Sequence, residues 1–158
     1  MRNFCLFICI SLAVAYWSGL PLSLGLSAQS QWYTRLTYML LHGNVIHLLL
    51  NIYAIMTMLF LCRVKLLQII AAFVIAIAVP YCGEVPLVGI STFIYALLGM
   101  IIMDSDSWKY LLLTNLAVIS FSVVLNNISF IAHIDCFALG VIVGFISSRR
   151  HGRNSCRR

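Results

Sequence analysis

Charge is what this sequence has least of. Asp, Glu, Lys and Arg make up 9% of 158 residues, and only four of these are acidic. Soluble globular proteins carry about 25% charged residues, so an ordinary water-facing surface is excluded. Paired cysteines are missing too. Cys5, Cys9, Cys62, Cys82, Cys136 and Cys156 show no CxxC spacing, and most lie in apolar runs where a free thiol behaves as a small hydrophobe. Neither a disulfide framework nor a zinc site is expected. There is no HExxH for a zinc peptidase and no pair of intramembrane aspartates for an aspartyl one. Internal repeats, linkers and low-complexity tracts are also lacking, and the apolar runs leave no room for a soluble domain.

Hydrophobic residues fill 63% of the chain, with a mean hydropathy of +1.04. Uncharged stretches recur, each near the roughly 20 residues a helix needs to cross a bilayer. The expected fold class is therefore an all-α membrane protein, with the lipid bilayer as its surroundings. Spans are expected near 4–24, 44–62, 65–82, 87–103, 109–125 and 128–147, a bundle of six transmembrane helices. The N-terminal run continues past residue 20 without a clear small-x-small cleavage site, which favours an uncleaved first span over a signal peptide. Between the first two spans, SAQSQWYTRLTYMLLHG is mixed polar and aromatic, and is expected at the interface with Trp32, Tyr33 and Tyr38 at headgroup level.

The net charge of +6 comes mostly from single basic residues and the tail RRHGRNSCRR at 149–158, which reads as a topology anchor and not as a nucleic-acid surface. With six spans and a cytoplasmic N-terminus, Arg2, Arg63, Lys65, Lys109 and five tail arginines fall inside, against Arg35 outside. That asymmetry supports both the count and the orientation. The expected organisation is a membrane domain over 1–148 and a basic cytoplasmic tail over 149–158. The short loops suggest a bacterial inner membrane.

Polar groups inside spans are costly and mark function by default. They are His47, Asn51, Ser91, Asn115, His133 and Asp135, with hydroxyls at Thr57, Ser120 and Ser122. His47 and Asn51, four apart in HLLLN, share one helix face, and Asn44 is a plausible N-cap that puts His47 in the first turn. Ser91 follows the break at Pro86. His133 lies about 9 Å below Asn127, at 1.5 Å per residue. His47, Asn51, Ser91 and His133 thus meet at similar depth near the outer face. A lone helical serine ordinarily bonds back to its own backbone. A serine within reach of a histidine is instead the minimum for nucleophilic catalysis, with Asn and a second His as oxyanion donors. Asp135 points away from the His133 face and is not placed as a triad aspartate.

The stretches LTYMLLHGNVIHLLLN, GISTFIYALLG and AHIDCFALGVIVG resemble, in order, the three signature segments of the rhomboid intramembrane serine proteases, over residues 4–148. The resemblance implies a six-transmembrane-helix rhomboid-like bundle with Ser91 as nucleophile and His133 as general base. His47, Asn51 and the Ser91 backbone N–H would form the oxyanion hole. Tyr95 matches a family aromatic that packs against the histidine, ordinary helix packing being the alternative, and Gly89 leaves room for backbone or substrate; these two are the expected substrate-binding positions. Arg35 resembles the family's arginine-leucine element, and a headgroup or loop-anchoring role is the plain reading. His42 reads as a loop-packing residue. The chain departs from the pattern at Thr92 and Cys136, where small residues are usual, while Gly140 and Gly144 keep the small-residue stripe.

The expected activity is intramembrane serine endopeptidase, acting on transmembrane protein substrates near the outer face and needing no metal or cofactor. A catalytically inactive relative that binds transmembrane helices is the alternative, kept open by Thr92 and Cys136. A small transporter or channel subunit is disfavoured, because almost no polar residues continue to the inner side.

Overall fold

A computed structural model describes residues 2–62, 64–102, 113 and 130–155. Six α-helices run along these residues: α1 (Arg2–Trp17), the short α2 (Thr34–Thr37), α3 (Val45–Leu61), α4 (Leu66–Ala78), α5 (Ser91–Ile102) and α6 (Phe130–Ser155). Two 3-10 turns, Leu22–Leu24 and Tyr38–Leu40, complete the elements. Extended pairing among the described residues is confined to an isolated antiparallel bridge, Leu26 with Leu87. Apart from Leu113, the expected span at 109–125, with Asn115, Ser120 and Ser122, lies outside the described residues, as does the depth marker Asn127.

Local chemistry sets the boundaries. Gly19 takes φ 67° just past α1, and Pro21 follows, so the first helix stops short of the apolar run that contains it. Asn44 caps α3: its backbone is extended and its side-chain oxygen accepts the His47 N–H at 2.8 Å. Pro80 ends α4, since it has no N–H to give the Ala76 carbonyl. The chain then runs non-helically through Pro86 and Gly89 before α5 begins at Ser91. Lengths differ accordingly from the expected spans. Among the described residues one helical stretch, Phe130–Ser147, is by itself long and apolar enough to cross a membrane. A second passes when the helices Thr34–Leu40 and Val45–Phe60, bent by 94°, are taken together, while Asn3–Trp17, Leu66–Ala78 and Ser91–Ile102 are shorter apolar helices.

The helix α5 is the axis of the bundle, and every residue from Ser91 to Ile102 is buried. Its most extensive partner is α6, with α4 and α3 also against it. Contact with α6 is made by glycines. A Cβ on Gly140 would strike the Ala96 carbonyl oxygen, one on Gly99 the Phe137 carbonyl oxygen, and one on Gly144 would come within 2.9 Å of Met100 Cα. The two backbones therefore touch, with Cys136 fully buried in α6. Outward faces are apolar instead of charged: Phe7, Ile10 and Val14 on α1, Leu66, Leu67 and Ile70 on α4, and Ile131 and Ile142 on α6 are all exposed.

The interfacial segment folds differently from expectation. Trp32 and Tyr33 are exposed, but Tyr38 is fully buried. Its hydroxyl donates to the Ala76 carbonyl at 2.8 Å, a partner that the sequence separation conceals. Arg35 serves the same helix end, where its Nη1 donates to the carbonyls of Ile77 at 2.9 Å and Val79 at 3.1 Å. The C-terminal carbonyls of α4, left open by helix geometry and Pro80, are thus satisfied by two side chains of one short segment. Arg35 is an anchor between elements. The same segment is tied to the loop after α1, where the Thr37 hydroxyl donates to the Leu24 carbonyl at 2.7 Å.

Candidate active site

Gly89 is the turning point of the site. It takes φ 108°, a conformation that side chains disfavour, and its N–H donates to the Tyr38 carbonyl at 2.9 Å. A Cβ here would lie 2.7 Å from His47 Cε1, 2.9 Å from His47 Nε2 and 3.5 Å from Asn51 Nδ2. The space beside the glycine is taken by the two polar side chains of α3, so H-x-x-x-N meets the chain two residues before Ser91.

Ser91 opens α5, and its Oγ stands 2.7 Å from His133 Nε2 on α6. Both residues are buried, at 6% and 2% exposure. A serine hydroxyl donates to Nε2 only when the ring proton sits on Nδ1, and His133 Nδ1 has no hydrogen-bond partner. Asp135, half-buried two residues on, therefore does not orient this ring, and among the described residues Ser91 and His133 pair without a third polar group on Nδ1. The Tyr95 ring supports it by stacking, with centroids 4.5 Å apart and planes tilted 36°. Tyr95 is buried in the core, and its ring contact is with His133.

Donors gather near Gly89 and at the start of α5. Asn51 is buried at 5% exposure and its Nδ2 has no partner. The first intrahelical bond of this region runs from the Ile94 N–H to the Ile90 carbonyl at 3.1 Å, so the N–H groups of Ser91, Thr92 and Phe93 lie at the open N-terminal end of α5, where the helix dipole favours negative charge. Buried, unpaired donors cost stability unless something binds them. An arriving oxyanion is such a partner. Of the residues expected at the site, Ser91 and His133 meet directly, and His47, Asn51 and Gly89 meet each other.

His42, a loop-packing residue by its sequence context, does pack: its ring lies 5.2 Å from that of His47, edge to face. It sits between Leu40 and α3, buried, with neither nitrogen hydrogen-bonded. Burial first, and the neighbouring His47 second, hold its pKa down at about 4. A histidine shifted down stabilises the fold fully above about pH 6.5, and loses that contribution as pH falls towards 4, because the unfolded chain takes the proton first. Through this residue, acidification from pH 7 to 4 is expected to cost up to about 3 kcal/mol. His42→Gln should flatten that part of a stability–pH profile; an unaltered profile would assign the acid sensitivity elsewhere.

A buried Ser–His pair lies between apolar helices, with the unpaired Asn51 amide nearby. The family model described as the Rhomboid domain matches residues 29–150, and the chain belongs to the rhomboid family of helical integral membrane proteins. No curated protein and no solved structure matches the chain.

Proposed function

We propose that this protein is an intramembrane serine endopeptidase that cleaves transmembrane segments of membrane proteins near the outer face of the bilayer. The observation that carries this reading is the 2.7 Å approach of Ser91 Oγ to His133 Nε2. Two residues 42 positions apart, each costly in an apolar core, are placed where one can take the other's proton. His133 Nε2 removes the Ser91 proton as Oγ bonds to the scissile carbonyl carbon, and the carbonyl π electrons move onto oxygen. The oxyanion accepts from Asn51 Nδ2, His47 and the Ser91 N–H. His133 then hands its proton to the leaving amine as the C–N bond breaks, and a water molecule, deprotonated by the same nitrogen, hydrolyses the acyl-enzyme. Gly89, lacking a Cβ, lets His47 and Asn51 close in beside Ser91 instead of leaving that space to the substrate, and Tyr95 borders the substrate beside His133.

The same reading takes residues 1–148 as a six-transmembrane-helix domain and 149–158 as a basic cytoplasmic tail. Both termini face the cytoplasm of a bacterial inner membrane, supported by the basic residues falling almost wholly on one side. Substrates are transmembrane helices with small, helix-destabilising residues near the cut, since the scissile bond must unwind to present its carbonyl. Nothing in these steps requires a metal or cofactor.

The test is a fluorophosphonate probe applied to the detergent-solubilised protein, with the adduct located by peptide mass spectrometry. An adduct on Ser91 is expected. A folded protein that takes none overturns the peptidase reading in favour of an inactive helix-binding relative.

A further inference from the structure

Tyr38 grips the chain on both sides of Ser91. Its carbonyl accepts the Gly89 N–H at 2.9 Å, and its hydroxyl oxygen lies 2.7 Å from Thr92 Oγ1. The direction of that second bond follows from proton counting. A phenol has one proton, and Tyr38 gives it to the Ala76 carbonyl at 2.8 Å, which can only accept and which receives no helical N–H because residue 80 is proline. Thr92 is therefore the donor into Tyr38. A threonine in the first turn of a helix would ordinarily turn its hydroxyl back to a carbonyl three or four residues earlier; here it reaches across to another element. Tyr38 and Thr92 are both fully buried, so bulk water does not compete for either hydroxyl.

We propose that the Tyr38–Thr92 hydroxyl pair is a strut that positions the Ser91 nucleophile. The strut runs from the end of α4 through Tyr38 to the residue after Ser91, while the Tyr38 carbonyl holds the residue two before it. Ser91 is thereby suspended between two ties to one rigid side chain and its backbone. Its Oγ meets His133 at 2.7 Å because the start of α5 neither slides along nor rotates about its axis. Tyr38 and Thr92 touch no reacting atom, so they are positioning residues, and their role rests on the peptidase reading of Ser91.

The test compares Tyr38→Phe, Thr92→Val, Thr92→Ser and the Phe/Val double variant. It reads the rate of fluorophosphonate labelling at Ser91 well below each protein's unfolding temperature, with thermal unfolding followed in parallel. Tyr38→Phe and Thr92→Val are each expected to slow labelling about tenfold, since small displacements of a nucleophile are costly. Thr92→Ser should stay within about twofold of wild type, keeping the donor. The double variant should be no slower than the slower single one, both having removed the same bond. Wild-type labelling with unslowed Phe and Val variants overturns the strut and leaves the peptidase reading intact. Additive losses, or a Ser variant as slow as Val, also overturn the strut, because the shared hydroxyl bond is then not the agent. Absence of labelling in folded wild type overturns both readings together. If Tyr38→Phe does not fold, the Val and Ser variants at Thr92 decide the question alone.

Discussion

His133→Ala is expected to slow acylation of Ser91 by about 10⁴-fold, and Ser91→Ala to abolish it, with both proteins still folded and inserted. The size follows from what the imidazole does. Without it the hydroxyl must lose its proton to water inside an apolar core, where charge separation is poorly solvated. What remains is the contribution of the oxyanion donors around Asn51 and the α5 N-terminus. The stability cost should be small for so large a kinetic effect. Replacing His133 removes a buried unsatisfied donor, Nδ1, worth about 1–3 kcal/mol, which offsets part of the lost packing against Tyr95 and of the Ser91 hydroxyl left without its partner. Labelling rate and thermal unfolding, measured on the same preparations, check the claim. A His133→Ala protein labelled at the wild-type rate would sink the dyad; one that unfolds on extraction would make the ring a structural residue first.

Most of the site was legible because its residues are rare. In a chain with four acidic residues, every intramembrane polar group stands out, and the spacings H-x-x-x-N, G-x-S and A-H carry their own geometry. Asn44 could be read as a cap, and it caps. What stayed hidden has a common physical cause: it depends on contacts between residues far apart in sequence. Tyr38 looks like an interfacial aromatic because its neighbours Trp32 and Tyr33 are, yet its hydroxyl bonds Ala76 and Thr92, 38 and 54 positions away. Arg35 reads as a headgroup or loop-anchoring residue, and it is the anchoring that the structure shows, on the carbonyls of Ile77 and Val79 at the end of α4. Thr92 looks in the sequence like a departure that would hold α5 and α6 apart. Its hydroxyl instead bonds Tyr38, while the closest approach to α6 falls further along, at Gly99, Gly140 and Gly144. Helix ends were the least legible part of the fold, since apolar runs continue through Pro21 and Pro80 while helical hydrogen bonding does not.

Gly140→Val is expected to destroy activity without altering any residue of the site. Gly140 lies seven residues beyond His133 on α6, about two turns along the same helix. A Cβ there would strike the Ala96 carbonyl oxygen and approach Ala96 C at 3.0 Å and Cα at 3.1 Å. These atoms are backbone, so no side chain can swing away to relieve the clash. The helices must separate, and the Ser91–His133 bond is a polar contact that spans them nearby. A displacement of about 1 Å at reacting atoms costs on the order of 10²-fold in rate, and a separation large enough to admit an isopropyl group exceeds that. Overpacking a tight contact ordinarily costs about 1–3 kcal/mol, and the unyielding backbone puts this case at the upper end or beyond. Gly140→Ala, smaller but still blocked by the same carbonyl, should fall between Val and wild type in both measures. Labelling at Ser91 read against thermal unfolding separates the two consequences: activity lost well below the unfolding temperature means that helix approach sets the dyad, whereas full labelling of a folded Gly140→Val protein would mean that Ser91 and His133 hold each other independently of the glycine contact.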